Sequence, residues 1–135
     1  LSSGIAPIRK LIERNIPIGL GSDISGGHIV SMAKVLTEAI GLSKMKWAEV
    51  DPNYTPLTLS EAFYMATKGG GQFFGHVGSF EKGYELDALI IDDTSLFDLN
   101  ERSLEERLER WLYVGDDRHI IERYVAGRVV PSPKG

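Results

Sequence analysis

Two rhythms of apolar residues run through this chain, one with the period of a helix and one continuous. Ile5, Ile8, Leu11 and Ile12 recur at helical intervals, and so do Met32, Val35, Leu36, Ala39 and Ile40. The same spacing returns in Leu59, Ala62, Phe63 and Ala66, and again in Leu104, Leu108, Trp111 and Leu112. Each set predicts a helix with a single apolar stripe. For the first, Ser2 or Ser3 serves as cap, Pro7 falls in the first turn and Asn15 is a left-handed stop. The second is expected from about Ser31 to Lys46, followed by a loop over Trp47 to Pro56. Thr58-Leu59-Ser60-Glu61 and Ser103-Leu104-Glu105-Glu106 open the third and fourth as capping boxes, in which the first and last residues satisfy each other's backbone donors. Gly69-Gly70-Gly71 predicts a left-handed exit from the third, and Gln72 to Gly75 suits one more helical turn.

The continuous runs predict strands. Ile16 to Leu20 is too short for a helix and contains Pro17, so a buried strand is expected there. A helix followed by a strand favours α/β architecture with a parallel sheet. A second strand is expected over Leu86 to Ile91, stopped by Asp92-Asp93, and a hairpin over Ile120 to Val130 turning at Ala126-Gly127. The character of the chain changes between Gly75 and Gly83, which places a boundary there. Asp23 stands where the first run ends, ahead of Ile24-Ser25-Gly26-Gly27. In parallel α/β folds the C-terminal strand edge carries the chemistry. On the residues alone, however, an Asp after Gly-Ser is more often a turn or helix-cap residue.

Composition narrows the classes. The 135 residues are 42% hydrophobic and 25% charged, a globular balance with room for one modest core. Fifteen Lys and Arg against 19 Asp and Glu give a net charge of -4 without a long block of either sign, so neither nucleic acid nor an anionic membrane is an expected partner. Cysteine is absent, which removes disulfides and thiolate metal clusters and suits a reducing cytoplasm. No apolar stretch approaches the roughly 20 residues of a membrane span, and no signal-peptide pattern opens the chain. A soluble cytoplasmic protein is expected.

Other candidate chemistry is thinner. His28, His76 and His119 have no metal-pair spacing, although His28 follows the Asp23 loop closely enough to border a pocket. Gly19-x-Gly21 has its third glycine only at Gly26, too late for a dinucleotide turn, and Gly69 to Gly71 lacks the Lys and Ser or Thr of a phosphate loop. Trp47, Trp111 and the tyrosines show no basic interleaving of a nucleic-acid surface.

A resemblance adds what these patterns leave open. Gly21-Ser22-Asp23 after an apolar run resembles the last barrel strand of the amidohydrolase superfamily, metal-dependent hydrolases and deaminases on a (β/α)₈ barrel. Ala66-Thr67-Lys68-Gly69-Gly70 through Gly75, then Gly78, Glu81-Lys82-Gly83 and Asp87-Ala88-Leu89-Ile90, is similar to the segment where such chains leave the barrel for a small β-sandwich. Leu1-Ser2-Ser3-Gly4, Gly19 to Asp23 with Gly26-Gly27, and Leu112 to Arg118 are similar to the branch that deaminates guanine. The His-x-His pair, later histidines and catalytic Glu of that branch are not in these residues, so the chain resembles its C-terminal third.

The resemblance implies an α/β fold: residues 1–75 as the end of a metal-dependent-hydrolase barrel and 76–135 as part of a β-sandwich with an intervening helix. It implies zinc as cofactor, Asp23 as metal ligand and proton acceptor, a small purine as substrate, and a homodimer in the complete enzyme. It also implies that these residues alone are inactive, because zinc sites need three or more protein ligands. Two rival expectations stand beside this one: a related deaminase or chlorohydrolase acting on a pyrimidine, triazine or pterin, and a non-catalytic interaction module.

Overall fold

The computed structural model describes residues 4–96 and 99–131. In chain order it forms α1 (Ile8–Glu13), α2 (Met32–Glu49), α3 (Leu59–Ala66), α4 (Lys68–Gly71), β1 (Ala88–Ile91), α5 (Leu104–Val114), a short 3₁₀ turn (Asp117–His119), β2 (Ile120–Val125) and β3 (Arg128–Val129). No helix among the described residues is long and apolar enough to cross a membrane.

The helical stripes meet in one core. Leu36 and Ile40 of α2, Ala62 and Met65 of α3, and Trp111 and Leu112 of α5 bury against one another, with Leu57 filling the approach to α3. The third and fourth predicted stripes thus join the second, although α5 lies far along the chain. Ser43 is the buried polar residue of this core, and it is satisfied: its hydroxyl donates to Ile40 O (2.8 Å) and accepts the Leu57 N–H (2.9 Å). Both capping boxes form. Thr58 Oγ1 accepts the Glu61 N–H at 3.2 Å while Glu61 Oε2 accepts the Thr58 N–H at 2.9 Å; Ser103 and Glu106 repeat the exchange at 3.3 and 2.8 Å.

Glu61 does more than close its box. Arg9 of α1 reaches it with both terminal nitrogens, Nη2 donating to Oε2 at 2.6 Å, and it also donates from Nε to Thr55 O and from Nη2 to Pro56 O, each at 2.7 Å. This two-pronged bond, with the Thr58 N–H and hydroxyl behind it, holds the Glu61 carboxyl down to about 2. The clamp fixes α1 to the start of α3.

Helix and sheet are both present, as expected, but the sheet is antiparallel. β1 pairs with β2 through Ala88↔Tyr124, Leu89↔Arg123 and Ile90↔Glu122, and β2 pairs with β3. The predicted hairpin turns at Ala126 (φ 48°) and Gly127 (φ 73°), two left-handed positions of the kind a tight two-residue turn requires. Asp87 Oδ1 accepts the Ala126 N–H at 2.8 Å and Leu86 O accepts the Gly127 N–H at 2.9 Å, so the turn is fastened to the entry of β1.

Several sequence expectations are corrected. Residues 16–20 carry no strand pairing, because a strand takes its hydrogen bonds from a neighbour and none of the described residues supplies one. The parallel sheet this run was expected to join is therefore absent among the described residues. The first helix begins at Ile8 with Pro7 as its cap, while Ser2 and Ser3 lie outside the described residues; Asn15 does take the expected left-handed conformation at φ 53°. The second helix runs on to Glu49, which places Trp47 on the helix rather than in the loop. Gly69, Gly70 and Gly71 form the short helix α4 and do not exit left-handed; the positive φ comes later, at Gly75 and Gly78.

Candidate functional site

Asp23 lies in a loop that folds back on itself. The segment before it is held at Leu20, whose N–H donates to Met65 O (3.0 Å) at the C-terminal end of α3. At Asp23 the backbone turns left-handed (φ 47°), and the Asp23 carbonyl accepts the N–H groups of Gly26 (2.9 Å) and Gly27 (2.5 Å). Ser25 is also left-handed, at φ 93°, a conformation that costs of order 1–3 kcal/mol for a side chain of that kind. Neither following glycine has positive φ; they are small because the turn is crowded. A Cβ on Gly26 would stand 2.7 Å from Asp23 Oδ2, and one on Gly27 would stand 2.5 Å from Ser22 O. Glycine at these positions lets the loop close under the carboxylate without displacing it. The carboxylate is exposed, and among the described residues no hydrogen bond or ion pair engages it.

The loop's exit is tied to α5. Lys34, in the first turn of α2, donates its Nζ to Leu112 O (3.3 Å) and Tyr113 O (3.0 Å), two carbonyls at the negative C-terminal end of that helix. An open groove beside this contact is lined by His28, Ser31, Lys34, Glu38 and Tyr113 among others. His28 does border a groove, as its place after the Asp23 loop suggested, but Asp23 does not line it.

The other histidines lie elsewhere. His76 meets the Tyr84 ring edge-on at 5.2 Å. His119 sits between Asp116 and Ser95, with Nδ1 3.3 Å from Asp116 Oδ1 and Nε2 3.1 Å from Ser95 Oγ, spacings that resemble a serine hydrolase triad. The hydrogen bonding opposes that use. When Nδ1 accepts the Asp116 N–H (3.2 Å), Nε2 carries the ring proton and cannot take one from Ser95. Asp116 is moreover occupied by Arg118, whose guanidinium holds its carboxyl well below the usual range. The cluster caps the 3₁₀ turn and ties the residue 92–96 loop to β2.

Among the described residues no group of three or more His, Asp or Glu comes together in a way that could hold a metal ion. Asp23 stands as a single donor. Sequence reasoning missed both the Lys34 tie and the Arg9 clamp, because each joins residues far apart in the chain. The one visible signal was a Lys and an Arg on the polar faces of helices whose apolar faces were already assigned.

Comparison with known proteins extends this geometry. The amidohydrolase family pattern matches residues 1–130. Guanine deaminase of Dictyostelium discoideum is 39% identical, with 96% of this chain and 30% of that protein covered, and the Homo sapiens enzyme is 36% identical with 97% and 31% covered. The crystal structure of guanine deaminase from C. acetobutylicum with guanine bound in its active site superposes with a TM-score of 0.90 at 53% identity, over 96% of this chain and 31% of that one. The chain therefore spans about a third of the length of the relatives it matches. A helical core with an exposed loop carboxylate, matched over residues 1–130 by one family pattern, places the chain in the amidohydrolase family.

Proposed function

We propose that these residues form the C-terminal third of a zinc-dependent guanine deaminase, which converts guanine and water to xanthine and ammonia. The reading rests on one observation above the rest: at 53% identity the chain superposes along 96% of its length on a guanine deaminase that holds guanine. In this reading residues 1–75 belong to the end of the barrel and 76–135 to the β-sandwich portion, and the complete enzyme is a homodimer.

Asp23 is the residue that carries the chemistry here. Its carboxylate is exposed and unengaged, on a loop built so that Gly26 and Gly27 leave it room, which suits a metal donor and a proton acceptor. One carboxylate fits a zinc site as a single ligand; at least two more protein ligands must come from the rest of the enzyme. Zinc, when bound there, supplies a nucleophile at neutral pH by lowering the pKa of water to about 7. Asp23 would accept a proton at a carboxylate oxygen as water adds to the carbon bearing the amino group of guanine, and would return a proton to the amine as the C–N bond breaks and ammonia leaves. General-base help of this kind is worth roughly 10² to 10⁴ in rate.

The test is Asp23→Asn in the complete enzyme. The amide keeps the shape but lacks the charge and basicity, so turnover of guanine should fall by at least about 10²-fold while the fold survives. Zinc content is measured in parallel, so that lost metal is not mistaken for lost proton transfer. Near-normal turnover with full zinc would make Asp23 a structural residue, and turnover of a pyrimidine, triazine or pterin in place of guanine would move the enzyme to a sibling activity.

A further inference from the structure

We infer that Gly19 and Gly69 are positioning residues for Asp23, an inference that rests on the deaminase reading above. The segment that leads to Asp23 has no strand neighbour among the described residues, yet it is held against the end of α3 and the turn of α4 by backbone lying directly on backbone. A Cβ on Gly19 would stand 2.7 Å from Gly70 Cα and 3.3 Å from Gly70 N. A Cβ on Gly69 would stand 2.7 Å from Ile18 O and 3.0 Å from Tyr64 O. The two 2.7 Å distances are closer than real Cβ atoms come, and the atoms met there are main chain, which cannot swing aside as a side chain can. The Leu20 N–H bond to Met65 O at 3.0 Å lies in the same contact and fixes its register along the run.

Neither Gly19 nor Gly69 has positive φ, so backbone conformation does not demand glycine at either place. Close approach does. The consequence travels along the chain: Gly19 is four residues before Asp23, and a methyl group at 19 or 69 pushes the segment away from α4 and carries the carboxylate with it. The support beneath is stiff, because α3 is clamped at its other end by the Arg9 bonds to Glu61, Thr55 and Pro56. Displacement of a reacting group by about 1 Å costs on the order of 10²-fold in rate. Gly70 supplies a graded comparison, since a Cβ there would meet Met65 O at 3.3 Å and Gly19 Cα at 3.8 Å, a contact its neighbours can absorb with a small shift.

The experiment uses the complete enzyme with Gly19→Ala, Gly69→Ala and Gly70→Ala, and Gly41→Ala as control, because a Cβ at exposed Gly41 on α2 meets nothing within 4 Å. Three quantities are read: kcat for guanine per zinc-loaded molecule, KM, and hydrogen exchange of the peptide spanning residues 18–24. The expected result is a 10- to 100-fold fall in kcat for the 19 and 69 variants with KM changed less, and faster exchange confined to 18–24. Gly70→Ala should fall two- to fivefold and Gly41→Ala not at all. A merely structural role would lower the melting temperature and leave kcat per folded molecule intact, and that outcome overturns the inference. So does lost kcat without loosened exchange, or loosened exchange with full kcat. Should the 19 and 69 variants fail to fold, full kcat and unchanged exchange in Gly70→Ala would overturn it equally. Were the unsubstituted enzyme inactive toward guanine, the assigned reaction would have failed, while exchange at 18–24 would still decide whether these glycines hold the segment.

Discussion

The α2–α3–α5 core and the run that leads to Asp23 are both apolar, yet they hold their shape by different means. Each core helix satisfies its own backbone within a few residues, starts at a cap written into its sequence in two of the three cases, and then buries a stripe against the other two. The run over residues 16–20 has strand composition, but its backbone bonds must come from elsewhere, and within the described residues it makes two, from Ile16 to Leu11 and from Leu20 to Met65. Helical structure is portable with the segment that encodes it. Strand structure is a property of pairs.

Truncation in the two regions should expose this difference. Leu36→Ala, at a site 1% exposed, removes side-chain volume that α3 and α5 both pack on, and denaturant unfolding of the chain should show a loss of about 3 kcal/mol. The same truncation at Ile16, 45% exposed, should cost less than about 1 kcal/mol. Equal losses would mean that the run is as well supported as the core and would break the comparison.

Acid should act next most strongly, and on the clamp between the regions. The Glu61 carboxyl is held down to about 2 by Arg9, so the clamp's contribution is fully present above the unfolded value near 4.3 and is lost as pH falls from there toward 2. Glu61 is about one-third open to water, so screening reduces the effect to about 1–2 kcal/mol. Unfolding free energies from urea titrations at pH 7 and pH 2.5 should differ by that much more in the native chain than in Glu61→Gln. Identical pH profiles would show that α1 is not fastened to α3 through this pair. A further effect is local: Ser103→Ala removes the α5 cap and should cost about 1 kcal/mol by thermal or denaturant unfolding, with the Asp23 loop unaffected.

The features legible in the sequence were those with short-range causes. Thr58-x-x-Glu61, Ser103-x-x-Glu106 and Ala126-Gly127 each dictate geometry over three or four residues, and each formed as expected. The stripe of α2 was also readable, because its period identifies the buried side without naming what covers it. What covers it was not readable: nothing in residues 32–49 announces Trp111 and Leu112. For the same reason Gly69 to Gly71 was read as a helix ending, when its use is to admit another stretch of backbone. Asp23 stands out by its place after an apolar run, whereas Lys34, which ties the far side of its loop, shows only as a cation on the polar face of α2, with nothing local to name its partner.

Lys34 also sets a clock on biosynthesis. Its acceptor Tyr113 lies 79 residues downstream, which at ribosomal speeds of about 5–20 residues per second is made roughly 4–16 s later. During that interval the Trp111 and Leu112 side chains that cover Leu36 and Ile40 in the finished core are not yet made. A slower codon stretch before residue 104 would lengthen that interval, and with it the time before α5 can close over α2.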